Sequence, residues 1–276
     1  MSKKELKNKK KIGLALSGGG WRGIAHVGVL KALEENNIPI DFIAGTSAGA
    51  LFGGLYSYFG NYKELENFVI RFGYRDLFKA VGDPRIRGGF LKGQKMIKYL
   101  NELTNHAKIE DLKIPFSAVT TDLITSKSHY IRDGKLSEAI RASVSIPLIF
   151  RPVNKNGMKL VDGGVTENVP IKCVKDMGAD IIIAVDVNTA YFPVTEKDLN
   201  STRQIAVVSA RAVLNTLSDF LSLEADVLIE PKVNSKNKTS IGVGYFLEFV
   251  KEKDIIRVGE ESAEKSMKEI KKLLGM

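Results

Sequence analysis

Cysteine, histidine and tryptophan are all scarce in this chain, with one Cys, three His and one Trp in 276 residues. The single cysteine, Cys173, excludes an internal disulfide and cannot by itself build a zinc site, so it reads as a small core residue compatible with a reducing compartment. Three histidines, His26, His106 and His129, leave few choices for a catalytic base. Long apolar runs are missing too. None approaches the ~20 residues that cross a bilayer, and the strongest, Ile181 to Val185, stops at Asp186. The stretch Ile12 to Leu16 behind the basic start is broken by Gly18, Gly19 and Gly20 too soon for the core of a signal peptide. These absences lead to the expectation of a cytoplasmic protein, at most peripheral at a membrane, with no signal peptide or transmembrane segment.

What is present suits a large core. Hydrophobic residues make up 44% of the chain, enough for a single α/β domain over residues 12–276. Short apolar segments alternate with longer amphipathic ones, which predicts a mostly parallel sheet covered by helices. The expected strands are Ile12 to Ser17, Phe42 to Gly45, Phe116 to Thr121, Lys159 to Val161, Ile181 to Val187 and Val227 to Glu230. Between Arg71 and Gly93 glycines punctuate exposed-looking Phe72, Leu77, Phe78 and Phe90, so residues 71–93 form either a lid or a loop packed on the core. Near the end, Ala263, Met267, Ile270 and Leu274 make one apolar stripe on a core-packed helix.

Lys and Arg number 41 against 32 Asp and Glu, a formal charge of +9. Six of the lysines lie in the first eleven residues, which read as a basic, solvated tail over 1–11. The excess favours anionic partners, among them a membrane surface. Nucleic acid is not expected, because the basic residues are dispersed and no base-reading motif accompanies them.

Two glycine-rich blocks carry chemistry. Gly45-Thr46-Ser47-Ala48-Gly49 follows a strand and precedes a helical run, the setting in which flanking glycines let the chain reverse while a serine hydroxyl projects near a helix N-terminus. After the first strand, Gly18-Gly19-Gly20-Trp21-Arg22-Gly23 opens a helix. This also satisfies the dinucleotide pattern, yet the acid that should end the second strand is at its start, as Asp41. Read instead as an oxyanion hole, Gly18, Gly19 and Gly20 present backbone N–H groups to one point.

The nucleophile needs a proton acceptor. His26 lies in the helix after the glycine loop, and His106 and His129 precede the candidate acid, so the α/β-hydrolase order of serine, acid, histidine is unavailable. Asp162, at a strand end before Gly163 and Gly164, is the carboxylate alternative, although Asp-Gly alone is also a hairpin signal. Together Ser47, Asp162 and the glycine loop describe one acyl-transfer site.

These blocks, with Ala142-Ser143-Val144-Ser145-Ile146-Pro147 between them, resemble the bacterial patatin-like phospholipases in order and spacing over nearly the whole chain. The resemblance implies a three-layer α/β/α fold and a Ser47–Asp162 dyad that acts on phospholipid or other acyl esters without metal or cofactor. It implies an oxyanion hole at Gly18 to Gly20, elbow glycines Gly45 and Gly49, and an Asp-Gly-Gly block at Asp162, Gly163 and Gly164. Arg22 then supports the loop or meets an anionic head group, unless it is an ordinary surface arginine. Ser143 and Ser145 are left outside the catalytic set. Two readings from other classes stay open here: a non-catalytic scaffold on anionic membranes, and a dinucleotide-binding oxidoreductase.

Overall fold

The run Ile12–Leu16 is buried at every position, as a strand covered on both faces must be. It forms β1, central in the sheet of a computed structural model that describes residues 10–83, 91–188, 199–233, 243–251 and 253–276. A 3₁₀ turn over Gly20–Ile24 leads into α1 (Ala25–Glu35), followed by β2 (Phe42–Thr46), α2 (Ala48–Phe59), α3 (Tyr62–Arg71), α4 (Tyr74–Val81) and α5 (Gln94–Leu103). The middle of the chain holds β3 (Phe116–Asp122), β4 (Lys127–Ile131), α6 (Leu136–Ser143), β5 (Val153–Lys155) and β6 (Met158–Asp162). Then come α7 (Ile171–Asp176), β7 (Ile181–Val185), α8 (Thr202–Ser222), β8 (Val227–Ile229), α9 (Val243–Lys251) and α10 (Ile255–Leu274).

Among the described residues the sheet has the order β5-β6-β3-β2-β1-β7-β8, with β4 also paired to β3. Strands β3, β2, β1, β7 and β8 run parallel, and β4, β5 and β6 join antiparallel. Alternation along the central strands sends side chains into two cores. Leu14, Leu16, Ile43 and Ile183 enter the larger core with α1, α2 and α10, while Ala15, Ala44, Ile182 and Ala184 face α7 through Ile171, Cys173 and Val174. Helices therefore cover both faces, giving three α/β/α layers, and the α7 side lies close because β1 and β2 present small residues to it.

The pairing of β3 positions the site. Ala118 pairs with Gly45 and Ile131, and Thr120 pairs with Asp162 and His129. A residue has two edges only, so β2 and β6 share the edge of β3 opposite β4, end to end and pointing at each other. Thr46 lies opposite Val119, and Asp162 lies opposite the next residue, Thr120. The carboxyl ends of β2 and β6 therefore meet.

Helices α1 and α10 cross at a pair of glycines. A Cβ on Gly28 would sit 1.8 Å from the Ile256 carbonyl oxygen, and one on Gly259 would sit 1.9 Å from that of Ala25. Backbone cannot yield there as a flexible side chain can, so Gly259→Val is expected to separate the helices and cost about 3 kcal/mol or more, the upper range for overpacking a core. A denaturation midpoint within error of the wild type would refute this.

Three expectations change. Strands β4 and β5 were not foreseen: Lys127–Ile131 is polar and half-exposed and Val153–Lys155 is only three residues long, so neither carries the buried-strand pattern. Within 71–93, Tyr74–Val81 is a regular helix that buries Leu77 and Ala80 and leaves Phe78 exposed, while residues 84–90 lie outside the described residues, as do 1–9 of the tail. Finally, although no uninterrupted apolar run is long, Gln204–Ser222 is among the described residues a helix long and apolar enough to cross a membrane by length and composition. Searching for unbroken runs missed it, because Ser209, Arg211, Asn215, Ser218 and Asp219 interrupt the pattern.

Candidate active site

Ser47 sits where β2 turns into α2, with φ 52° and ψ −115°, a backbone geometry that costs of order 1–3 kcal/mol. The turn is this tight because both flanks are glycine. A Cβ at Gly45 would lie 2.3 Å from the Gly49 carbonyl oxygen, and one at Gly49 would lie 2.1 Å from that of Leu16. The Ser47 hydroxyl, at the N-terminus of α2, faces the Asp162 carboxylate and favours its charged form.

Asp162 ends β6 and accepts a hydrogen bond, 2.8 Å, from the Gly164 N–H. Gly163 must be small: a Cβ there would come within 2.4 Å of the Val119 carbonyl oxygen. Both side chains are almost fully buried. Burial outweighs the Gly164 hydrogen bond and the nearby Ser47 hydroxyl and raises the Asp162 pKa from 3.8 to about 6.

The segment Ala142 to Pro147 ties the two strand ends together. Ser47 N–H donates to Ser143 Oγ at 2.9 Å, and the Ser143 hydroxyl donates to the Val119 carbonyl at 2.7 Å. Asp162 N–H donates to the Ser145 carbonyl at 3.0 Å, and the Arg141 guanidinium donates to Ser145 Oγ at 2.6 Å. Sequence reasoning left Ser143 and Ser145 aside because the following proline suits a plain turn. The available signal was Ser143, whose hydroxyl joins Ser47 to Val119, whereas Ser145 meets Asp162 through a backbone carbonyl that any residue supplies.

The glycine loop lies beside Ser47, with a Cβ on Gly18 falling 3.2 Å from Ser47 Cβ. Its three amides are not equivalent. Gly18 N–H donates to the Asn168 carbonyl at 3.1 Å, whereas among the described residues the Gly19 and Gly20 N–H groups meet no backbone acceptor. Arg22 is buried rather than a surface side chain, and it donates through Nε to the Gly19 carbonyl at 3.4 Å and through Nη2 to Asn188 Oδ1. Below the loop, buried Asp186 accepts from the Asn188 N–H and from the Ser218 hydroxyl.

His26 is fully buried, and its Nε2 donates to the Ser17 carbonyl at 2.9 Å. Burial pushes its pKa down to about 4, so it stays neutral and holds the loop. Among the described residues none of the three histidines is hydrogen-bonded to Ser47, and no group of His, Cys, Asp and Glu is arranged to hold a metal ion. Asp41, the misplaced acid of the dinucleotide pattern, accepts from the Ile12 N–H at 2.8 Å at the amino end of the sheet, away from the glycine loop.

A cavity of about 90 Å³ opens at Ser47 and Gly20. Beyond Ser47, Tyr99 supplies its one other side-chain hydroxyl; Leu51, Leu77, Ala80 and Phe150 are typical of the remaining walls.

A family model described as patatin-like phospholipase matches residues 14–174, from β1 through the Asp-Gly-Gly block to α7. The chain belongs to this family. An uncharacterised NTE family protein of Mycobacterium bovis is 37% identical over 179 residues, covering 64% of this chain and 49% of that protein. Lysophospholipase nte1 of Emericella nidulans is 36% identical over 185 residues, 64% of this chain and 12% of that protein. The patatin-like chain thus spans about half the length, or less, of these curated relatives. VipD from Legionella pneumophila shares the fold, with a TM-score of 0.51 at 16% identity over 95% of this chain and 67% of that one.

Proposed function

We propose that the protein hydrolyses the carboxylic ester bonds of lipids carrying one long acyl chain in the apolar cavity, by way of a covalent acyl-enzyme. The observation that carries this is the Ser47 hydroxyl facing a buried carboxylate at the mouth of an almost wholly apolar cavity. Asp162 takes the Ser47 proton as Oγ bonds to the ester carbonyl carbon, and the carbonyl oxygen becomes an oxyanion facing the Gly19 and Gly20 amides and the N-terminus of α2. Collapse breaks the ester C–O bond, and the leaving alkoxide takes the proton from Asp162. Water, deprotonated by the same carboxylate, then attacks the acyl-enzyme. Its proton returns to Ser47 as the fatty acid departs.

Among the described residues that line the cavity none is ionic, so ionic head groups stay outside it and selectivity falls on the acyl chain. The test is fatty-acid release from esters of increasing acyl length, with Ala80→Phe as the discriminating variant. Ala80 is buried in the cavity wall, and a ring there shortens the space. The ratio of long-chain to short-chain kcat/KM is expected to fall by about tenfold or more, the equivalent of excluding one or two methylenes. An unchanged ratio would remove the acyl chain from this cavity.

A further inference from the structure

Helix α8 is amphipathic in the inverted sense. At 100° per residue, Asn215, Ser218 and Ser222 lie on one face and Val213, Leu217 and Phe220 on the opposite one. The polar face is the inner one. Ser218 and Ser222 are buried, the Ser218 hydroxyl donates to Asp186 at 3.1 Å, and Asn188 Nδ2 donates to Asn215 Oδ1 at 2.8 Å. The apolar face points outward, with Val213 67% and Phe220 68% exposed, continued by Leu223 at 79%. Large side chains gathered on an outer face mark a surface that meets an apolar partner.

We propose that this outer face of α8 seats the protein on an anionic phospholipid bilayer. Charge favours that partner, because the chain carries +9 and is attracted to an anionic surface. The choice of a lipid surface over a protein rests on the lipid-hydrolase reading above. The helix lies on the bilayer rather than through it, since its inner face is hydrogen-bonded to the protein. The inner face meanwhile ties α8 to the glycine loop. Asn215 bonds to Asn188, which accepts from Arg22 of that loop, and Ser218 donates to Asp186, whose neighbour Val187 donates its N–H to the Ser17 hydroxyl just ahead of Gly18.

The test is co-sedimentation of the full chain with vesicles of ether-linked phosphatidylglycerol and phosphatidylcholine, whose lack of ester bonds separates binding from turnover. The variant is Val213→Ser with Phe220→Ser, both exposed positions, checked by its unfolding midpoint and by turnover of a short, water-soluble ester. The wild type is expected to bind anionic vesicles, and the variant to bind about tenfold or more weakly with soluble-ester turnover unchanged. Equal binding by both proteins overturns the proposal, as does no vesicle binding by the wild type. Light scattering in which a wild-type dimer becomes a monomer in the variant, with vesicle binding unaltered, assigns the face to a second copy and also overturns it. A wild type that binds through this face yet hydrolyses no ester upholds the docking surface and defeats the hydrolase reading instead.

Discussion

Ser47→Ala is expected to lower ester hydrolysis by about 10⁴-fold or more, the scale on which a serine nucleophile is lost, while the protein stays folded. The side chain removed is a single oxygen. On the mechanism proposed above, the Gly19 and Gly20 amides and the apolar cavity that remain would still bind the acyl group and polarise its carbonyl. Alanine inherits the φ of 52° and therefore the backbone strain of serine, so the unfolding midpoint should change little. Ser47→Gly is equally inactive but relieves that strain, and about 1 kcal/mol of added stability is expected. Turnover is measured with the ester series and stability by chemical denaturation. If Ser47→Ala keeps more than a tenth of wild-type turnover, Ser47 is not the nucleophile.

Asp162→Asn should move activity and stability in opposite directions. An amide oxygen accepts the Gly164 hydrogen bond but takes no proton from Ser47, so hydrolysis is expected to fall by about 10³-fold or more. For stability the sign follows from proton binding. The Asp162 pKa is about 6 in the folded protein against 3.8 as its free value. The folded state therefore holds the proton more tightly, and stability declines as pH rises from about 4 to 6. Above that window the buried carboxylate costs about 3 kcal/mol, a cost the amide does not carry. Asp162→Asn is thus expected to be the more stable protein at pH 7.5, with the difference shrinking toward pH 4. Denaturation at those two pH values reads it, and a less stable variant at pH 7.5 would contradict the raised pKa. The same shift predicts that wild-type turnover rises with pH through an apparent pKa of about 6. A rate already level at pH 5 would mean that no group with that pKa acts as base.

Much of this arrangement was legible in the chain itself, where chemistry is local. A glycine loop that opens a helix is a run of consecutive small residues, and a tight strand-to-helix turn needs glycine on both sides of its serine. Gly18 to Gly20 and Gly45 to Gly49 therefore announced themselves as short motifs, and the apolar runs from Ile12 to Ile229 announced the parallel strands they form. Polar or very short strands such as β4 and β5 carry no such signature. Neither did α4, because glycines on either side of it disguised a regular helix as loop.

Properties that depend on residues distant in sequence were decided by the tertiary structure alone. The head-on meeting of β2 and β6 along one edge of β3 brings Ser47 and Asp162 together across more than a hundred residues, and burial at that junction raises the Asp162 pKa. Which loop amides stay open depends on Asn168 reaching Gly18. The bridging of both strand ends by Ser143 and Ser145 depends on where α6 packs. Helix α8 shows the division most plainly: composition says how apolar it is, but only its hydrogen bonds to Asp186 and Asn188 show that the polar side faces in. Pattern and propensity act between near neighbours, whereas desolvation, amide pairing and facing are set by whatever the fold brings alongside.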